Sequence, residues 1–327
     1  MKILVTGGAG FIGSHTVKEL LRKGFDTVIL DNFSSGRREL VLGGEVIEAD
    51  LREKASLIPI FRSQKIDAVL HFASLTQVEE SYKDPQKYYA HNLTSTLNLL
   101  EAMLRAGTKR IIFSSSATVY GIPQQIPIPE THPLSPPTAY GMTKYFVEKI
   151  LQDYHRAYGM KFISFRYFNA AGADPEGQLG ELHDPETHLI PNILLSLLGE
   201  KKDFNLFGTD HPTPDGTAIR DYVHVTDLAM AHVMALNQIS SLAECEFINL
   251  GANQGFSVLE IIKKVEKVTG KKVEYRKKPK RVGDVAVLLA SKEKAEQLLG
   301  WKPQHSDIET IIETAWNWFL KKAGKRK

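Results

Sequence analysis

Short apolar runs alternate with segments of helical spacing over roughly the first half of the chain. The runs at Lys2–Thr6, Thr27–Leu30, Glu45–Ala49, Ala68–Phe72, Arg110–Ser114 and Phe162–Phe165 are strand-length and read as buried strands. Between them, apolar positions such as Val17, Leu20 and Leu21 follow the helical period. This alternation predicts α/β architecture: a parallel sheet with helices on both faces. Right-handed crossovers then make it doubly wound.

After about Asn169 the rhythm loosens. Residues 170–187 and 208–217 are rich in glycine, proline and polar side chains and read as loops. Helical patterns return at Val225–Asn237, Ser257–Thr269, Lys292–Leu299 and Ile308–Lys321. Ser257 with Glu260, and Ser306 with Glu309, have capping-box spacing and predict two of the helix starts. Ile308, Ile311, Ile312, Ala315, Trp316 and Phe319 form one apolar stripe, which reads as core. The expected organisation is a Rossmann-type lobe over 1–169 and a smaller substrate-binding lobe over 170–327. Segments around 219–251 are expected to return to the first lobe. A cleft between the lobes, at the carboxyl ends of the strands, is where ligands of such folds bind.

Composition narrows the partners. The 327 residues carry a net charge of only +3. Basic stretches at Lys271–Arg281 and Lys321–Lys327 lack interleaved aromatics and read as a solvated face and tail, so no nucleic-acid partner is expected. The one cysteine, Cys245, excludes an internal disulfide and CxxC zinc sites and fits a reducing compartment. The opening MKILVTGG reads as a strand entering a glycine loop rather than a signal or transit peptide. No apolar run approaches membrane-spanning length, so a cytoplasmic protein without a membrane partner is expected. His183, Asp184, Glu186 and His188 fall close together without the helical HExxH pattern. They read as loop residues, and no metal is expected.

Two motifs carry chemistry. The first strand runs into Gly7, Gly10 and Gly13 at GxxGxxG spacing, followed by a helix. Glycine permits a tight turn and close approach of a pyrophosphate, and the helix start offers free N–H groups. Asp31 follows the second strand, 18 residues after Gly13, where a carboxylate would bind ribose hydroxyls and repel a 2′-phosphate. NAD is therefore the expected cofactor. Asp50, after the third strand, is a candidate adenine contact. The second motif is Tyr140 and Lys144, four apart and so on one helix face, in line with Val147 and Leu151. An ammonium beside a phenol favours the phenolate, which can act as a base. The strand at Arg110–Ser114 runs on into Ser115, Ser116 and Thr118, so hydroxyls at its carboxyl end face the same cleft. Ser116 is the leading candidate to hold a substrate hydroxyl for Tyr140.

With GGAGFIG, DNFSSG, FSSSATVYG, YGMTK, RYFNAAGA, DGTAIRDYVHVTDLA, FINLG and LGWKPQ on view, the chain resembles the UDP-glucose 4-epimerase family of extended short-chain dehydrogenases. The similarity runs from Met1 to about Phe319. The resemblance implies an NAD-dependent isomerase that interconverts UDP-galactose and UDP-glucose through a 4-keto sugar and works as a homodimer. It implies Tyr140, Lys144 and Ser116 as catalytic residues. Phe11, Ile12, Asp31, Asn32, Asp50, Leu51, Phe72, Ala73, Asn92, Ser114, Lys144 and Tyr167 match the family's NAD contacts. Asn169, Leu189, Asn205, Leu206, Phe207, Arg220, Tyr222, Arg281 and Asp284 match its nucleotide-sugar contacts, with Ser116 and Tyr140 at the sugar.

Two positions depart from the pattern. Thr76 stands where some members carry a lysine to the cofactor phosphates, and Leu288 where members restricted to glucose and galactose often carry tyrosine. The smaller Leu288 implies room for an N-acetyl group. Three other readings are weighed. A 4,6-dehydratase would carry Asp-Glu where this chain has Ala117-Thr118. A UDP-glucuronate epimerase would need a site for the carboxylate. A non-catalytic NAD-binding protein would have no need of Ser116, Tyr140 and Lys144.

Overall fold

The computed structural model describes residues 1–242, 245–281 and 283–324, so the last three residues of the basic tail lie outside the described residues. In chain order the strands are β1 (Lys2–Thr6), β2 (Asp26–Asp31), β3 (Glu45–Glu48), β4 (Ala68–His71), β5 (Arg110–Ser116), β6 (Lys161–Tyr167), β7 (Asn169–Ala171), β8 (Phe204–Phe207), β9 (Ile219–His224), β10 (Glu246–Leu250), β11 (Gly255–Ser257), β12 (Tyr275–Lys278) and β13 (Val287–Leu288). The helices are α1 (Phe11–Arg22), α2 (Lys54–Gln64), α3 (Val78–Lys83), α4 (Pro85–Ala106), α5 (Ala139–Tyr158), α6 (Leu189–Leu198), α7 (Val225–Gln238), α8 (Val258–Thr269), α9 (Glu293–Leu299) and α10 (Ile308–Lys322).

Seven strands form one parallel sheet in the order β10-β6-β5-β4-β1-β2-β3. The order reverses between β1 and β4, and this is the point where doubly wound sheets bind ligands. One face is covered by α1 and α7, with Val17, Leu20, Leu228 and Leu236 in a shared core with Ile3, Val5 and Ile248. The other is covered by α2, α4 and α5, through Leu57, Phe61, Leu99, Leu100, Val147 and Leu151. The chain thus comes back to the first sheet after β9, adding helix α7 and edge strand β10.

A second core joins α6, α8 and α10 through Leu194, Ile261, Ile311, Trp316 and Phe319. The apolar stripe of α10 faces inward here, as its spacing predicts. Two small sheets border this core: β11-β9-β13 with β7 on β9, and β12-β8.

The predicted capping box at Ser257 is present: its hydroxyl accepts from Glu260 N–H, and Glu260 accepts from the Ser257 backbone. The one predicted at Ser306 is not. Asp307 caps α10 instead, accepting from the N–H groups of Glu309 and Thr310 at 3.0 and 3.1 Å. Ser306 is taken by the loop's tertiary contacts: its hydroxyl donates to Asp227 and accepts from His224 N–H. Asp307 offers the first helical turn the stronger, charged acceptor.

Candidate active site

The turn after β1 is shaped by close backbone approach. Gly7 has φ +70°, and a Cβ there would stand 2.6 Å from the backbone nitrogen of Ala73. A Cβ on Gly13 would stand 2.2 Å from the carbonyl oxygen of Gly7. Both are glycine because the β4 loop and the first turn of α1 press against this turn. Gly10 precedes α1 and supplies no side-chain cap, so first-turn N–H groups stay available to an anion. The Asp31 carboxylate, at the end of β2, accepts from Ala9 N–H and Phe33 N–H, both at 2.9 Å. Burial raises its pKa, and those backbone bonds oppose the rise. Asn32 donates to Asp50 at 3.0 Å, and Arg52 holds the Asp50 carboxyl well below the usual carboxylate range. A tight glycine turn, an uncapped helix start and a carboxylate at the next strand end together fit a dinucleotide.

Ser116 ends β5, and Tyr140 and Lys144 lie one turn apart at the start of α5, which Thr138 caps through Gly141 N–H at 2.9 Å. The phenol of Tyr140 lies near enough to Ser116 for that hydroxyl to lower its pKa. The Ser116 oxygen also accepts from the Thr118 N–H at 3.2 Å and hydroxyl at 3.0 Å. Lys144 donates from Nζ to the Ser114 carbonyl at 2.7 Å and to Ser74 Oγ at 2.9 Å, 5.7 Å from the centre of the Tyr140 ring. Burial dominates the electrostatics. It pushes the Tyr140 phenol up to about 12, with nearby Ser116 opposing, and brings the Lys144 ammonium down to about 7. Without a bound cation nearby, the phenol therefore rests neutral. Tyr167 ends β6 beside this group, its pKa raised by burial and its hydroxyl 2.6 Å from His232 Nε2.

The substrate side is organised by β9. Register sets Asn169 opposite Tyr222 and Leu288 opposite Arg220. Arg220 and Tyr222, two apart, share a strand face. Arg220 pairs with Asp284, and the Arg281 guanidinium stacks 4.3 Å over Phe207. Along β8 the alternation turns Asn205 and Phe207 outward and Leu206 into the second core. Leu288 packs against a small apolar cluster that includes Ala117, the residue after Ser116. Leu189 begins α6 and leans on the second core.

A profile of the NAD dependent epimerase/dehydratase family matches residues 3–251. The chain belongs to this family. It is 48% identical over 319 residues to the UDP-glucose 4-epimerase of Lacticaseibacillus casei, covering 97% of this chain and 96% of that protein. Among solved structures, UDP-glucose 4-epimerase from Brucella ovis in complex with NAD has a TM-score of 0.94 at 43% identity, covering 97% of this chain and 98% of that one. The Bifidobacterium longum UDP-glucose 4-epimerase in complex with NAD+ and UDP has a TM-score of 0.95 at 40% identity, covering all of both chains.

In this member of the epimerase/dehydratase family, some expected contacts lie deeper than the sequence suggests. Leu51 is packed in the core, its carbonyl held by Asn98 at 3.0 Å. Asn92 is buried between Leu75, whose N–H and carbonyl it binds at 2.8 and 3.1 Å, and Thr143, at 3.0 Å. It fixes the loop after β4 to α5. Phe72 lies over His232, with ring centres 4.7 Å apart.

Several residues around the site escape sequence reasoning. Ser74 binds Lys144. Arg166 and Glu148 form a buried ion pair at 2.7 Å, and Glu148 also accepts from Ser115 at 2.7 Å, under the end of β5. His183, Glu186 and His188 lie in the loop before α6, as expected, and there they come together with Glu181, while Asp184 stays outside the group.

Proposed function

We infer that the chain is a UDP-glucose 4-epimerase, interconverting UDP-galactose and UDP-glucose with tightly bound NAD. The observation that carries this reading is the Ser116–Tyr140–Lys144 group at the strand ends beside the glycine turn, in a chain similar over nearly its full length to such epimerases. When bound, NAD supplies a reversible hydride acceptor and, in its oxidised form, a positive charge. Gly7, Gly10, Phe11, Ile12, Gly13 and Asp31 would hold it, with the loop bearing Phe72 and Ala73.

The remaining chemistry belongs to the chain. Ser116 holds the sugar 4-hydroxyl against the Tyr140 oxygen. Tyr140, made a phenolate by positive charge near it, takes that proton and later returns it. Lys144 contributes positive charge and fixes α5 to β5. The 4-keto sugar must turn over in the cleft between the two transfers, so the grip falls on the nucleotide. Arg220 and Arg281 suit a diphosphate, Phe207 offers a face for uracil, and Asn169 and Tyr222 line the approach. Binding energy spent on the UDP end leaves the sugar free to rotate.

The test is to incubate the purified protein with UDP-galactose, without added reductant, and separate the nucleotide sugars. Formation of UDP-glucose, reaching the same mixture from either side, is the expected result. Loss of water from the sugar, or binding without conversion even with added NAD, would leave the fold and cofactor site standing and remove the epimerase reading.

A second reading of the sugar range rests on Leu288. Its side chain packs against the apolar cluster that includes Ala117, where a tyrosine would fill more of the space. UDP-N-acetylhexosamines are therefore included as substrates. We further propose residues 1–169, joined by α7 and β10, as the cofactor lobe and the rest as the substrate lobe. A homodimer is proposed as well, with the exposed Leu97 and Phe146 of α4 and α5 on its face; light scattering of the purified protein tests it. Among the described residues no helix is long and apolar enough to cross a membrane. A cytoplasmic location is proposed from the single cysteine.

A further inference from the structure

Away from the catalytic cleft, the loop between β7 and α6 gathers four metal-ligand side chains. Glu181, His183, Glu186 and His188 each offer one ligand atom, and all four atoms lie within 4.8 Å of one another. We propose that these residues bind one divalent transition-metal ion of the zinc type, as a structural site that braces the cofactor helix against the substrate lobe.

The distances suit such an ion. His183 Nδ1 is 2.8 Å from Glu181 Oε1 and 3.8 Å from Glu186 Oε2. His188 Nδ1 contacts the same Glu181 oxygen and is 3.7 Å from Glu186 Oε1. Around a tetrahedral ion with bonds of about 2.0–2.2 Å, ligand atoms stand about 3.3–3.6 Å apart. The observed spacings bracket that value, so small side-chain shifts complete the shell. The two imidazoles meet at 78° with centres 5.0 Å apart, so they converge on the carboxylates rather than stack.

Charge points the same way. Glu181 is 3% exposed and Glu186 9% exposed. Among the described residues no lysine or arginine pairs with either carboxylate; their ionic partners are the two histidines. A dication with two neutral imidazoles balances both buried carboxylates at once. Two imidazoles and two carboxylates suit zinc better than a soft-ligand ion. Four protein ligands leave no open position for a reacting water, which makes the site structural.

Its surroundings explain the use. Trp318 of α10 donates from Nε1 to the Glu181 carbonyl at 3.2 Å, and Phe11, the first residue of α1, lies edge-on to the His183 ring with centres 6.2 Å apart. His188 immediately precedes α6 and Leu189. An ion here ties α1, α6 and α10 at one point. A cavity of about 320 Å³ beside Glu181, His183 and Glu186, together with the half-exposed side chain of His188, gives it a way in.

The test uses the full chain made without a histidine tag. Metal content is measured as purified; the protein is then stripped with a chelator and titrated with Zn²⁺ or Co²⁺. The expected results are one ion per chain, a visible ligand-field spectrum of tetrahedral Co²⁺, and an unfolding temperature that drops by several degrees on stripping and returns with Zn²⁺. His188→Ala and, separately, Glu186→Gln should lose the bound ion and the cobalt spectrum while keeping the far-ultraviolet circular dichroism. If either variant fails to fold, the cobalt titration of the unaltered protein decides. No cobalt spectrum and no thermal response to Zn²⁺ would overturn the proposal and leave a metal-free histidinium–carboxylate cluster. So would metal binding that both folded variants retain.

Discussion

Lys144 Nζ donates to the carbonyl oxygen of Ser114 over 2.7 Å, two residues before Ser116 on the same strand. Tyr140 precedes Lys144 by one helical turn, so this single bond sets the start of α5 against the end of β5. The phenol of Tyr140 is thereby brought to the strand end that carries Ser116.

Replacing Tyr140 with Phe keeps the ring and its packing and removes the proton acceptor. Turnover of UDP-galactose should fall by about 10²–10⁴-fold, the usual worth of a positioned base. Calorimetric affinity for UDP should stay near that of the parent, because the nucleotide grip lies on β8 and β9. A variant with near-parental turnover would remove Tyr140 from the chemistry.

Leu288→Tyr should narrow the sugar range. Filling the space around position 288 is expected to cut conversion of UDP-N-acetylglucosamine by about 10–200-fold, the discrimination that pocket size provides. UDP-galactose conversion should survive. Parallel assays of the two sugars decide. If the parent protein cannot turn over the acetylated sugar while converting UDP-galactose, the premise itself fails.

Arg166→Met should be costly although it touches no proposed ligand contact. It leaves Glu148, 1% exposed at its side chain, as a buried charge without its cation. Breaking such a pair costs about 3–5 kcal/mol. Urea unfolding should show the loss. Adding Glu148→Leu should recover part of it, since the stranded charge is then gone.

Stability should fall on mild acidification. Burial holds the pKa of His15 and His232 at about 4, and of His71 and His224 at about 3. In the unfolded chain each titrates near 6.5. Folding therefore keeps these rings neutral, and the stability they allow is full above about pH 6.5 and is lost as the pH falls toward the folded values. Between pH 6.5 and 5.5 each ring costs about 1 kcal/mol. Urea midpoints across that interval should drop; a flat profile would mean that the rings are charged or hydrated in the folded protein.

Local signals carried far in the sequence. The glycine spacing, Asp31 and the Tyr140–Lys144 pair are each set by neighbours a few residues away, and their elements appear where the periodicity puts them. What escaped was set by contacts between distant segments. Asp227 recruits Ser306 across 79 residues and so moves the cap of α10 to Asp307. Glu148 and Arg166 lie on a helix and the following strand, and each reads alone as an ordinary charged residue. Glu181 gave no signal because its ligand partners come from a turn without helical spacing.

The pairing of Leu288 with Arg220 on adjacent strands has a further consequence for how such a protein can change over generations. The residue proposed to set sugar size and the one proposed to grip the diphosphate are inherited as one ladder rung. An insertion or deletion between Asp284 and Val287 would slide Leu288 off that rung, while β7 and β11 keep Arg220 in place. New sugar preferences are therefore expected to arise by substitution at position 288, with the length of that connection held constant.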